Sequence, residues 1–111
     1  MKQKLSCAAA VVLMALATPA WANPAAPTTD AAALARASGC MWCHAVDRRM
    51  VGPSFRDISA RYAGQADAAR RMASVIQRGG AGVWGSIPMP ANARLSDADA
   101  ARLAAWSLSH R

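Results

Sequence analysis

The chain has 111 residues, a length for one small domain. With 54% apolar and 17% charged residues it is too apolar to remain disordered. Its net charge of +7 comes from dispersed basic residues without any nucleic-acid-binding motif, which argues against DNA or RNA as a partner.

Lys2 and Lys4 precede an apolar stretch, Leu5 to Ala17, and Ala20-Trp21-Ala22 supplies a small-x-small cleavage site. Residues 1–22 therefore read as a secretory signal peptide. The stretch is shorter than the roughly 20 residues a membrane-spanning helix needs, so no stable membrane anchor is expected. Removing Lys2 and Lys4 lowers the charge from +7 to +5, and Cys7 leaves with them. Residues 23–29, rich in Pro and Ala, read as a flexible arm, and residues 30–111 as the folded domain.

Helix formers run from Asp30 to Ser38, with Thr29 as the expected N-cap and Gly39 as the stop. Ser54 and Asp57 fit a capping box for a second helix, with Phe55, Ile58 and Tyr62 on one face and Gly64 after it. A third helix fits 67–78, where Met72, Val75 and Ile76 recur at helical spacing before Gly79-Gly80. Residues 80–95 show no period and hold Gly82, Gly85, Pro88 and Pro90, an irregular stretch long enough to suggest a task. Ser96 with Asp99 opens a last helix through about Ser109, with Leu103 and Trp106 on its apolar face. No alternating pattern supports a sheet, so the expected class is all-α.

Cys40-Met41-Trp42-Cys43-His44 follows directly on the first helix. Two thiols at i and i+3 with an imidazole next to the second form an attachment site for c-type haem. Each thiol adds to one vinyl group, and the imidazole falls beneath the ring as an axial iron ligand. One covalently bound haem c, with its iron, is the expected cofactor. It would also fill the centre of a chain too small to build a thick core. The competing readings are a thiol–disulfide pair, which has no use for His44, and a zinc site, for which His110 is the only other imidazole.

The second axial position decides the chemistry. Left open it admits gases or peroxide, giving a sensor or peroxidase; filled, it restricts the iron to electron transfer. Met41 is held between the thiols, Met50 follows His44 too closely, and Met72 lies on an apolar helical stripe where methionine is usually filler. Met89, fixed between Pro88 and Pro90, is the expected ligand. His110, next to last in the chain, reads as a solvated residue. His44 needs an acceptor for its other ring N–H, and a carbonyl of Gly52-Pro53 is well placed. Trp84 has an indole donor for a haem propionate, or simply packs on the ring. Asn92 is a donor for the Met89 sulfur, or an ordinary turn residue.

Cys40 to His44, Met50-Val51-Gly52-Pro53, Tyr62-Ala63-Gly64-Gln65, Gly82-Val83-Trp84-Gly85, Ile87 to Asn92 and Trp106 together resemble the small bacterial class I cytochromes c, nearest to the cytochrome c-551 type. The resemblance runs from about Leu34 to the end of the chain. It implies a class I cytochrome c fold of four or five short helices around one covalently attached haem. It further implies His44 and Met89 as axial ligands, Pro53 lending its carbonyl to His44, Trp84 on a propionate, and Asn92 near the sulfur. It also implies a non-enzymatic, monomeric, periplasmic carrier. Such a carrier docks transiently, through its exposed haem edge, onto redox partners such as a quinol-oxidising complex, a nitrite reductase or a terminal oxidase. A dedicated subunit of a larger enzyme is the variant of this reading. Four positions depart from the pattern: Ala35 where an aromatic is common, Ser86 and Ala91 where prolines are common, and the bulky Trp42 inside the haem motif. Trp42, with Arg48 or Arg49 nearby, is a candidate docking patch.

Overall fold

The computed structural model describes residues 30–111, so the expected leader and arm lie outside the described residues; the first helix is capped by Asp30, one residue after the expected Thr29. Four α-helices make up the described fold: α1 (Ala31–Ala37), α2 (Phe55–Tyr62), α3 (Ala68–Arg78) and α4 (Asp97–Ser107), with a 3₁₀ turn at Cys40–Trp42 after α1. The all-α expectation holds. The helix starts follow from side-chain oxygens that accept the otherwise unpaired first-turn N–H groups. Asp30 accepts from Ala32 N at 3.1 Å, Ser54 from Asp57 N at 3.0 Å and Ser96 from Asp99 N at 3.1 Å. α3 starts one residue later than expected, after Asp67. α4 ends at Ser107, with Leu108 as its C-cap, short of the expected Ser109.

Gly39 stops α1 in the left-handed region, at φ 78°. A Cβ there would lie 3.3 Å from the Trp42 ring, so both the turn and the tryptophan depend on glycine.

α3 and α4 share the largest packing face, α1 crosses α4, and α2 touches α4. Ala35, Ala100, Leu103, Ala104 and Ile76 are buried at these crossings. The small side chains allow α1 close to α4, because interaxial distance is set by the residues at the contact. Ala35, fully buried, does this at the position where the resemblance led to the expectation of an aromatic. Trp106 finds its aromatic partners elsewhere, in Phe55 and His110. Ser59 Oγ donates to Ser107 O at 3.2 Å and Ser107 Oγ to Leu103 O at 2.8 Å, so the polar atoms between α2 and α4 are paired.

After α3 the chain turns at Gly79, φ 77°, where a Cβ would fall 2.6 Å from Met89 O. Gly80 and Met89 then form an antiparallel bridge. The irregular stretch is thus a loop with a closed base. Asn92 N donates to Ile76 O at 3.0 Å and fastens its far end to α3.

Candidate functional site

The helices leave a cavity of about 390 Å³ on one side of the molecule. One wall is Cys43, His44 and the 49–53 segment, the floor includes Ile58, Tyr62, Met72 and Val75, and the other wall is the 80–90 segment with Trp84 and Met89. A smaller recess of about 50 Å³ is lined by Cys40, His44, Phe55, Met89 and Leu103, among others. Both thiols of the haem motif, its imidazole and Met89 therefore converge on one site.

Local backbone bonds deliver these side chains. His44 N and Cys43 N both donate to Cys40 O, at 3.0 and 3.2 Å, which places the second thiol and the imidazole one turn beyond the first thiol. The segment then doubles back, with Gly52 N donating to Cys43 O at 2.8 Å and Phe55 N to Ala45 O at 2.9 Å. This return brings Pro53 O to 2.7 Å from His44 Nδ1. A carbonyl only accepts, so Nδ1 carries the proton and Nε2 keeps its lone pair for a metal. Gly52 is needed for a different reason: a Cβ at 52 would sit 2.6 Å from His44 Cε1 and 3.0 Å from Nδ1. Phe55 stacks on the other side of this arrangement, its centroid 5.4 Å from that of the His44 ring.

Among the described residues the two thiols form no disulfide. Burial pushes the Cys40 thiol up from its ordinary range, the neighbouring Cys43 adding to the rise and a backbone hydrogen bond opposing it. A redox dithiol needs the opposite shift, toward thiolate. Among the described residues no group of three or more His, Cys, Asp or Glu side chains is placed to hold a metal ion.

Of the methionines considered as ligands, Met72 and Met89 line the large cavity, whereas Met50 is exposed. Trp84 lines the cavity half-buried. Asn92 lines neither recess, and its Nδ2 donates to Ser38 O at 3.2 Å, joining the loop to the end of α1. Trp42 points away, 82% exposed. Arg49 is engaged across the cavity mouth, its Nη2 donating to Trp84 O at 2.9 Å.

His110 corrects the sequence expectation of a solvated terminal residue. It lies half-buried, stacked on Phe55 at 5.4 Å and edge-on to Trp106 at 4.6 Å, with Nε2 buried and without a hydrogen-bond partner among the described residues. Burial, and secondarily Arg56, hold its pKa below the ordinary value. The contacts that bury it come from Trp106, four residues back in the chain, and from Phe55, distant in sequence. Only the apolar face carrying Trp106 hinted at them.

The residues present fit a haem. The walls are mostly apolar, two thiols adjoin them, an imidazole has one nitrogen committed and one free, and a thioether lines the same space. Comparison with known proteins agrees. Residues 28–110 match the cytochrome c family. Cytochrome c-551 of Azotobacter vinelandii is 50% identical over 78 residues, covering 70% of this chain and 94% of the relative. Cytochrome c-551 of Pseudomonas aeruginosa is 47% identical over 96 residues, 86% of each chain. The crystal structure of wild-type Nitrosomonas europaea cytochrome c552 superposes with a TM-score of 0.70 at 49% identity, covering 72% of this chain and 99% of that one.

Proposed function

This chain belongs to the cytochrome c family, and from that premise we propose that it is a periplasmic, single-haem carrier whose iron is held by His44 and Met89. The family's covalently attached haem c is its cofactor, and Cys40 and Cys43 fit the attachment motif. When bound, haem c supplies an iron that takes up and gives back one electron. The protein's part is to hold that iron unchanged in both states. Pro53 O fixes the ring of His44 and its tautomer, which presents Nε2 as the donor. Met89, anchored by its backbone bridge to Gly80, offers a soft sulfur that favours the reduced state and a raised potential. The observation that carries this reading is the convergence of His44 and Met89 on one cavity beside both thiols.

Export to the periplasm is supported by the leader-like residues 1–22, which lie outside the described structure, and no described helix is long and apolar enough to cross a membrane. Respiratory donors and acceptors would meet the cavity rim, where Val51, Val83 and Ile87 are exposed. The positive charge steers the chain toward an acidic face, and the contact is small enough to release quickly.

An absorption spectrum of the oxidised holoprotein tests the ligand set through the weak red band of sulfur-ligated ferric haem. Met89→Ala should abolish that band, lower the potential and let the reduced protein bind carbon monoxide. Ready carbon monoxide binding by the unaltered protein would instead indicate an open distal site.

A further inference from the structure

The loop between Gly80 and Met89 leaves and re-enters the fold at a single point. Gly80 N donates to Met89 O at 3.1 Å and Met89 N to Gly80 O at 2.7 Å. Beyond this base the chain makes one turn, closed by Gly82 N donating to Gly85 O at 2.8 Å. The turn's two central carbonyls, Val83 and Trp84, are left for other donors. Each is taken by an arginine from elsewhere in the chain. Arg61 Nη1, in the last turn of α2, donates to Val83 O at 3.2 Å, and its guanidinium carbon lies 4.6 Å from the centroid of the Trp84 ring. Arg49 Nη2, from the segment following the haem motif, donates to Trp84 O at 2.9 Å. Among the described residues no other hydrogen bond joins residues 81–88 to the rest of the chain. The same residues line the cavity, and so does Arg49.

We infer that Arg49 and Arg61 are positioning residues that clasp the 81–88 loop across the mouth of the cofactor cavity, keeping water from the haem and holding Trp84 in place. The inference rests on the cavity being the haem site proposed above. The planar fork of arginine suits the task, since one group donates to a carbonyl and lies on an aromatic face together. Lysine offers a point charge without the flat face. Both contacts bear on a single turn, so the loss of either loosens the same loop. The shell around a metal site controls solvent access and hence potential. A looser loop admits water, which favours the more charged ferric form and lowers the potential.

The test uses the holoprotein with Arg49→Gln, Arg61→Gln, the double variant and Arg61→Lys. Three quantities are read: hydrogen exchange of the Trp84 indole N–H, the rate at which added imidazole binds the ferric protein, and the reduction potential in 1 M salt. At that ionic strength the Debye length is about 3 Å, so the direct effect of an exposed charge is largely screened. Each Gln variant should raise exchange and imidazole entry about tenfold, the factor that roughly one net hydrogen bond carries. The potential should fall, and the double variant should exceed the larger single effect only slightly, because both act through one loop. Arg61→Lys should resemble Arg61→Gln. Rates and potential unchanged in the double variant, independent multiplying effects, or Arg61→Lys behaving as the unaltered protein would each overturn the clasp. The red sulfur–iron band of the unaltered protein reports separately on the haem reading. A clasp that fails while the band is present fails alone.

Discussion

Gly52 shows how a residue without a side chain can determine the chemistry of its neighbour. It has no φ in the left-handed region; its constraint is the His44 ring, 2.6 Å from where a Cβ would stand. Gly52→Ala must push the ring or the 43–53 return, and with it the bond to Pro53 O. Overpacking of this kind costs about 1–3 kcal/mol. The variant should melt lower than the wild type, and its potential should shift because the imidazole is reoriented; an unchanged melt and potential would show that the return yields without cost. His110 makes a pH-dependent contribution of determinate sign. Its folded pKa lies below the ordinary 6.5 because burial penalises the charged ring. Between the two values the unfolded chain binds more protons than the folded one, so stability is complete above about 6.5 and falls as pH drops toward the folded value. His110→Phe keeps a ring beside Phe55 and Trp106 and removes the titration. Thermal melts from pH 7.5 to 5 (roughly the range in which histidine changes charge) should fall more steeply for the wild type than for the variant, and parallel profiles would dismiss the effect. The two residues also differ in how far the sequence exposes them. Pro53 is found by asking what orients the histidine of a haem motif, whereas the burial of His110 depends on where α2 and α4 meet.

The helices were readable because their signals are local. Ser54 and Ser96 announce their caps within three residues, and Gly39 and Gly79 mark stops through the backbone region that L-residues avoid. What local pattern did not reveal is the pairing of distant backbone. The Gly80–Met89 bridge joins two residues in a stretch read only as irregular, and neither belongs to an alternating run. Gln77 Nε2 reaches Asp97 Oδ1 at 2.9 Å and Leu95 O at 3.2 Å, binding the end of α3 to the beginning of α4. Together with Asn92 N on Ile76 O, these bonds make α3 and α4 a frame from which the Met89 loop hangs. Proline on each side of Met89 suggested stiffness from the loop's own residues. The structure adds fastening at the base by backbone and at the tip by Arg49 and Arg61, and it places Arg49 there rather than free beside a Trp42 patch. Side-chain reach across the cavity depends on the tertiary fold, which is why composition and spacing could not assign these arginines.

For the molecule as a whole, the decisive feature is how little of the interior the chain fills by itself. Among the described residues Leu103 is the most withdrawn large apolar side chain, and beyond Phe55, Ile58 and Ile76 the buried apolar positions are alanines, among them Ala35, Ala100 and Ala104. A fully buried leucine contributes about 1.5–3 kcal/mol and a buried alanine much less, while each ordered residue costs on the order of 1–2 kcal/mol of backbone entropy. Four short helices around a 390 Å³ recess therefore need its contents. Haem c, attached at Cys40 and Cys43, would supply the missing apolar surface and tie the 40–44 segment to the rest of the fold. The Cys40→Ser/Cys43→Ser variant removes both points of attachment while leaving every helix cap and the buried core residues Ala35, Ile76, Ala100, Leu103 and Ala104 in place. Without haem it should show reduced helical circular dichroism at 25 °C and no cooperative melt, whereas the holoprotein should unfold in a single transition. Added haem, free to occupy the cavity through His44 and Met89, should restore part of the helicity without the covalent link. A cooperative melt in the haem-free variant close to that of the holoprotein would mean that α3 and α4 suffice as a core, and that the cofactor serves electron transfer alone.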